Sequence, residues 1–240
     1  MSAPTWIISG ATSVIAQEFA RLAAQAGHAL ILIGRDSEQL AIIMADIRLR
    51  YRVDCEVINI DFSQDISPLM TLLHNKKETV NLFLAHSLMV GNDKLNNQTI
   101  NELIKINIIS TTQLIHAYLN REQNAHRLVF LSSVAACKGR TKNSLYGASK
   151  AAVEVYLQGL QQAASNNQHI TIARLGFIDT KSTYGEPGIF YAASPKTCAR
   201  ACWKASIANK RLIYYPFFWR YIMGIITRLP FFIYKKMAGV

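Results

Sequence analysis

Thr5-Trp6-Ile7-Ile8-Ser9-Gly10-Ala11-Thr12-Ser13-Val14-Ile15-Ala16-Gln17-Glu18-Phe19-Ala20 changes its period halfway along. Residues 5–9 are a short apolar run, the next four are small, and from Val14 onward the apolar positions recur with helical spacing. A strand, a tight turn and a helix start make a phosphate cradle, because free backbone N–H groups and the positive end of the helix dipole converge there. The usual fingerprint carries three glycines. Here Gly10 stands alone, with Val14 and Ala16 where the second and third would fall, so an ordinary strand-to-helix turn is the competing reading.

Outward from this stretch, strand-like runs at 5–9, 29–33, 55–60, 80–85, 128–133, 169–175 and 211–216 alternate with helical patterns near 14–26, 37–50, 67–76, 99–119, 146–165 and 195–208. The alternation predicts an α/β fold: a single doubly wound Rossmann-type domain, its parallel sheet of about seven strands covered by helices on both faces. At 240 residues, with no linker or repeat, the chain is long enough to bury one full core. In the second helix Leu40, Ile43, Met44 and Ile47 keep one apolar stripe, and Ser67-Pro68 and Ser194-Pro195 each predict a capping serine before a proline at the first helical position.

Cys55, Cys137, Cys198 and Cys202 give no disulfide framework, and Met1-Ser2-Ala3-Pro4-Thr5 runs into the first strand without a leader pattern. Together they point to a reducing cytoplasm. Cys198 and Cys202, four apart on one helix face, read as buried small hydrophobes; a metal pair is the alternative, without further ligands nearby.

A second stretch carries chemistry. Tyr146-Gly147-Ala148-Ser149-Lys150 follows Ser133, which closes the apolar run Leu128-Val129-Phe130-Leu131-Ser132-Ser133, by thirteen residues. A helix brings positions four apart onto one face, which puts the Lys150 ammonium near the Tyr146 phenol. A neighbouring cation favours the charged form and brings a phenol of ordinary pKa about 10 toward working pH. Ser133 is then placed to donate to a carbonyl oxygen becoming negative. Such a site reduces carbonyls or oxidises alcohols; a plain surface helix is the bland alternative.

Together these pieces resemble the short-chain dehydrogenase/reductase family over essentially the whole chain. The family's opening Thr-Gly-x3-Gly-x-Gly appears as Ser9-Gly10-Ala11-Thr12-Ser13-Val14-Ile15-Ala16, its acidic residue after the third strand as Asp61 before Phe62, and its Asn-Ala-Gly as the divergent Ala85-His86-Ser87. Its catalytic tetrad matches Asn107, Ser133, Tyr146 and Lys150, and its Pro-Gly motif has become Leu175-Gly176-Phe177-Ile178-Asp179-Thr180. The resemblance implies a nicotinamide cofactor contacted by Gly10, Thr12, Ser13, Val14, Ile15, Asp61, Phe62, Ala85, His86, Ser87, Tyr146, Lys150, Gly176, Ile178 and Thr180. It also implies that Tyr146 transfers the proton, that the Asn107 carbonyl holds a water linked to Lys150, and that the helices at 99–119 and 146–165 pair with their copies in a homodimer or homotetramer. Ile104, Ile108, Ile115, Val153, Tyr156, Leu157 and Leu160 lie beyond one core-facing stripe there. Asn107 also admits a reading as a residue that merely bends its helix.

Gly34 tops the second strand where an acidic residue would select NAD, and Arg35 follows, offering a guanidinium to a 2'-phosphate. The expected cofactor is therefore NADP(H); alternatively Arg35 faces solvent and Asp36 or Ser37 caps the next helix. His86 reads as a wall of the cofactor or substrate pocket. Residues 181–200 are expected to form the substrate lid.

The net charge is +11, and no Asp or Glu follows Glu186, whereas Lys196, Arg200, Lys204, Lys210, Arg211, Arg220, Arg228, Lys235 and Lys236 do. Residues 217–240 therefore read as an aromatic, basic, amphipathic tail appended to a catalytic domain at 1–216. No charge-free run reaches the ~20 residues that span a bilayer. Aromatics interleaved with Arg and Lys suit an anionic membrane interface on the inner face of the cell membrane; burial against the substrate pocket or a partner subunit is the rival. Bulky aliphatics interrupt the basic residues, which argues against nucleic acid. Arg220-Tyr221-Ile222-Met223, Pro230 and Lys235-Lys236, with Gly176-Phe177-Ile178-Asp179-Thr180, resemble the branch of the family that reduces decaprenylphosphoryl-2-keto-ribose. That branch implies a lipid-linked keto-sugar substrate; a soluble 3-oxoacyl or small-alcohol reductase, or a silent binding protein of the same fold, are the other readings.

Overall fold

The computed structural model describes residues 3–180 and 191–237. Seven parallel strands, β1 (Thr5–Ser9), β2 (Leu30–Gly34), β3 (Cys55–Asn59), β4 (Val80–Leu84), β5 (His126–Ser133), β6 (Gln168–Leu175) and β7 (Leu212–Tyr215), lie in the order β3-β2-β1-β4-β5-β6-β7. The chain winds outward from β1 in one direction, then returns to start the other half at β4. Central strands buried on both faces are largely apolar, and β1, β2 and β4 are buried at every position, with Thr5, Ser9 and Asn81 as the polar residues among them. Successive side chains alternate between two cores. Trp6, Ile8, Leu32, Phe83 and Val129 pack beneath α1 (Val14–Gln25), α2 (Ser37–Tyr51) and α7 (Pro195–Ile207). Ile7, Ile31, Leu82, Leu128 and Phe130 pack beneath α3 (Ser67–Asn75), α5 (Thr111–Leu119) and α6 (Ser144–Ala163). Cys198 and Cys202 are fully buried in the first core.

Three expectations are corrected. The single helix over 99–119 is α4 (Asn97–Ile104), a π-helical segment (Lys105–Ser110) and α5. Ser110, Thr111 and Thr112 return their hydroxyls to the carbonyls of Ile106 and Ile108, and such back-bonding competes with the regular ladder. Ser67 does not cap α3; it is the first helical residue, and Asp65 accepts from its backbone N–H at 3.0 Å. Ser194 does cap α7, accepting from the Thr197 N–H at 3.3 Å. Ile115, Val153 and Leu157 face the second core rather than an outer surface; Ile109 and Val155 are exposed instead. Of the expected lid, 181–190 lie outside the described residues, and 195–200 begin α7.

The carboxyl-terminal segment forms α8 (Trp219–Ile226) and α9 (Phe231–Lys236). Trp219 and Met223 are buried with Val134 in a third cluster, against which Phe177 and Tyr214 pack. The opposite face carries Phe217, Tyr221 and Ile225, continued by Phe231 and Phe232, all more than two-thirds exposed or nearly so (66–74%). Among the described residues no helix is long and apolar enough to cross a membrane.

Candidate active site

The residues singled out from the sequence converge on the carboxyl edge of the sheet, around the switch between β1 and β4 where ligands of open α/β sheets bind. After β1 the chain turns through Gly10 at φ +65°, and a Cβ built there would stand 2.6 Å from the His86 backbone nitrogen and 2.9 Å from the Ala85 carbonyl carbon. Both the handedness and the close approach demand glycine. Ser13 caps α1 by accepting from the Ala16 N–H at 3.2 Å, and Gln17 donates to the Thr12 carbonyl at 3.0 Å. Thr12 and Ser13 are partly exposed and Val14 is exposed, whereas the Ile15 side chain joins the core and leaves only its backbone for a ligand.

Arg35 is exposed at the tip of β2, and Asp36, as an alternative from the sequence, caps α2 by accepting from the Gln39 N–H at 3.0 Å. Asp61 accepts from the Ser63 N–H at 2.8 Å, which holds its carboxyl below the usual range. Phe62 is buried and stacks on His86 at 3.8 Å between ring centroids. His86 is a strut rather than an open pocket wall. Its two ring nitrogens bond Ser9 Oγ at 2.7 Å and Thr111 Oγ1 at 2.9 Å, and burial lowers its pKa to about 3, so it stays neutral. Ala85 is partly exposed and Ser87 exposed.

Tyr146 lies in the first turn of α6, which rests on the short 3-10 turn Val134–Ala136 so closely that a Cβ on Gly147 would stand 2.6 Å from the Ala135 carbonyl oxygen. Contact at that range brings Tyr146 to Ser133, which starts the turn and accepts from the Ala135 N–H at 3.1 Å. Desolvation pushes the Tyr146 phenol up; a hydrogen bond with Ser133 and the Arg140 guanidinium pull the other way. Lys150, expected to act on the phenol as a cation, stands over the Tyr146 ring. Its Nζ lies 5.9 Å from the Tyr146 ring centroid and donates to the Leu131 carbonyl at 2.9 Å. Lys150 is buried, and its pKa falls to about 8 through desolvation, against the pull of Glu154.

Asn107 sits at the middle of the π-helical segment with its side chain fully engaged. It accepts from the Leu88 N–H at 2.7 Å and donates to the Leu88 carbonyl at 2.8 Å and to Ser149 Oγ at 2.9 Å. It thereby ties the loop after β4 to α6 beside Lys150. At the end of β6, Gly176 lies against the Trp219 indole, Ile178 is buried, and Thr180 is partly exposed. Arg140, Gly147, Glu154 and Trp219 escaped the sequence reading; Glu154 alone left a trace, four residues after Lys150. Among the described residues no group of three or more His, Cys, Asp or Glu is placed to hold a metal ion.

A hydroxyl beside a phenol at the carboxyl edge of a doubly wound sheet, with a buried lysine and asparagine behind them, is the arrangement of an oxidoreductase. The chain belongs to the short chain dehydrogenase family, whose model matches residues 4–186. An uncharacterized oxidoreductase of Mycobacterium tuberculosis is 26% identical over 240 residues, covering 96% of each chain. The human inactive hydroxysteroid dehydrogenase-like protein 1 is 27% identical over 163 residues, 65% of this chain and 49% of that protein. Among solved structures, a short-chain dehydrogenase from Sphingobium yanoikuyae in complex with NADPH superposes with a TM-score of 0.82 at 22% identity, covering 95% of this chain and 96% of that one.

Proposed function

We propose that the protein is an NADPH-dependent reductase that converts a ketone to a secondary alcohol, with Tyr146 as proton donor. The carrying observation is the approach of Tyr146 to Ser133 over Gly147, with Lys150 and Asn107 locked behind them. When bound, NADPH supplies the hydride. Ser133 donates to the carbonyl oxygen as it gains charge, and Tyr146 protonates it.

The residues present suit that cofactor. The Gly10 turn, closed by the Ser13 N–H donating to the Gly10 carbonyl at 3.0 Å, would offer the backbone N–H groups of Thr12, Val14 and Ile15 and the Ser13 hydroxyl to a pyrophosphate. Arg35, exposed at the strand tip, would hold the 2'-phosphate. Asp61 and Phe62 would serve the adenine end of such a cofactor, and Ala85, Ser87, Gly176, Ile178 and Thr180 its nicotinamide end with Tyr146 and Lys150. The Sphingobium yanoikuyae neighbour, which holds NADPH, supports this choice.

The substrate in this reading is amphiphilic, on the model of a lipid-linked keto-sugar. The support is the double use of α8: one face packs on Val134 and Phe177 beside the site, and the other offers aromatics among Arg220, Arg228, Lys235 and Lys236 to an anionic membrane. The proposal includes a homo-oligomer paired through α4–α5 and α6, to be read by light scattering; a monomer at micromolar concentration removes that part. A silent binding protein is the second reading, favoured by the relative named inactive and by the Ala85-His86-Ser87 departure. Fluorescence titration with NADPH and NADH, then a ketone panel, decides. Failure to bind NADPH or to turn over any ketone overturns the proposal.

A further inference from the structure

Behind the candidate lysine lies a polar network that the proposed reaction does not itself employ. Tyr146, Lys150 and Glu154 stand four apart on one face of α6. Glu154 should therefore point where the catalytic face points, yet it is only 2% exposed. The strand beneath accounts for its burial. Leu131, Ser132 and Ser133 close β5, and each serves a different member of that helical face. The Leu131 carbonyl accepts from Lys150 at 2.9 Å, the Ser132 hydroxyl donates to Glu154 Oε1, and Ser133 meets Tyr146. Across the sheet Ser132 pairs with Arg174 of β6, whose Nε and Nη2 reach Glu154 Oε2 at 2.8 and 2.6 Å. Arg174 also donates to Tyr214 Oη of β7 at 2.5 Å.

We propose that Glu154 is a positioning residue of this enzyme: clamped by Ser132 and Arg174, its carboxylate keeps Lys150 charged and seated on the end of β5, so that Tyr146 works beside a cation. The inference rests on Tyr146 being the proton donor of the proposed reaction. A buried ammonium without an anion gives up its proton rather than stay charged in a dry site. Burial already lowers Lys150 to about 8, and Glu154 is the anion that opposes it. The other groups around the pair do not replace it. His86 is neutral, the phenols of Tyr146 and Tyr214 and the thiol of Cys137 are pushed up by burial, and Arg140 and Arg174 are cations. Burial opposes the charge on Arg174, but its bonds to Glu154 outweigh that and hold it charged. The carboxylate is thus shared between two cations, and removing either partner acts on Lys150 with opposite sign.

The test is the alkaline limb of the pH profile of kcat for ketone reduction by the full chain with NADPH. Glu154→Gln removes the anion and should move the limb to lower pH by about one unit, the lower end of what a nearby opposite charge supplies, since Arg174 draws on the same carboxylate. Arg174→Gln frees the carboxylate for Lys150 and should move the limb upward. Glu154→Asp keeps the charge and should restore the profile toward wild type. A limb that stays put in both Gln variants, or moves the same way in both, overturns the proposal, because a merely structural pair has no sign. Should Glu154→Gln fail to fold by circular dichroism, Arg174→Gln and Ser132→Ala carry the comparison. A readout free of turnover separates this inference from the proposed function. Lys150 holds its proton to about 8 when folded and to 10.5 when unfolded, so its share of stability grows with pH across that window. In Glu154→Gln, or in Ser132→Ala, which loosens the clamp, the rise in melting temperature should begin at lower pH, and in Lys150→Met it should vanish. That result with no ketone reduced would sink the function and leave the role of Glu154 standing; no change in the melting curves would do the reverse.

Discussion

Replacing Gly10 by alanine should damage both stability and cofactor binding, and the size of the effect can be built from its surroundings. The left-handed backbone at φ +65° costs an L side chain ~1–2 kcal/mol. The new methyl would also stand 2.6 Å from the His86 nitrogen and 2.8 Å from its Cα, both main-chain atoms. A comfortable carbon contact is ~3.5 Å, so the loop after β4 must retreat by most of an ångström. It is not free to do so, because His86 is bonded to Ser9 and Thr111 and stacked on Phe62. Overpacking of that kind costs ~1–3 kcal/mol, which gives a total of ~2–5 kcal/mol. For a chain of this size each kcal/mol is ~2–4 °C, so the melting temperature should fall by about 10 °C. Gly27 supplies the control. Its φ is +82°, but nothing lies within 4 Å of a Cβ there, so Gly27→Ala carries the conformational cost alone and should lose only ~2–8 °C. NADPH affinity, by fluorescence titration, should drop by at least about tenfold in Gly10→Ala and hold in Gly27→Ala, because only the first displaces the phosphate turn. Equal melting temperatures for the two variants, or unchanged NADPH affinity in Gly10→Ala, would refute the reasoning.

Tyr146→Phe should abolish ketone reduction while leaving NADPH binding within a few-fold, and Lys150→Met should impair both; near-normal turnover in the first would remove Tyr146 as proton donor. Arg35→Asp should move the ratio of kcat/KM from NADPH toward NADH, and an unchanged ratio would make Arg35 a bystander. His86 titrates at about 3 when folded against 6.5 unfolded, so stability it contributes above pH 6.5 is lost as pH falls toward 3; the melting temperature of His86→Gln should be flatter across that window than wild type, and parallel curves would show that another group governs it. Replacing Phe217, Tyr221, Ile225, Phe231 and Phe232 by serine should release the protein from anionic vesicles by orders of magnitude while sparing reduction of a small ketone, whereas cutting the chain after Pro216 should also harm the site, since it removes Trp219 and Met223; vesicle binding that survives the five replacements would end the membrane reading.

The strand-to-helix alternation and the order of motifs were legible in the sequence because they are local: apolar period, small turn residues and spacing decide them. What escaped is decided by partners far along the chain. Glu154 drew no notice in the sequence because nothing local marks a helical carboxylate as buried; its partner, Arg174, lies twenty residues on in β6. Asn107 could bend a helix or serve the site, and only the meeting with Leu88 and Ser149 settles its side chain. The spacing places the Lys150 cation one turn from the Tyr146 phenol, but the desolvation of that phenol depends on the packing around it and could not be read from spacing. The tail divides its faces between protein and solvent, a partition that an aromatic-rich composition leaves open.

The placement of α8 ties two surfaces together. A helix of eight residues that rests on Val134 and Phe177 with one side and meets the surroundings with the other cannot move for one without moving for the other. The indole of Trp219, which anchors the inner face, is also the group that lies against Gly176 at the end of β6, so a substitution at Trp219 reaches the site and the outer surface together.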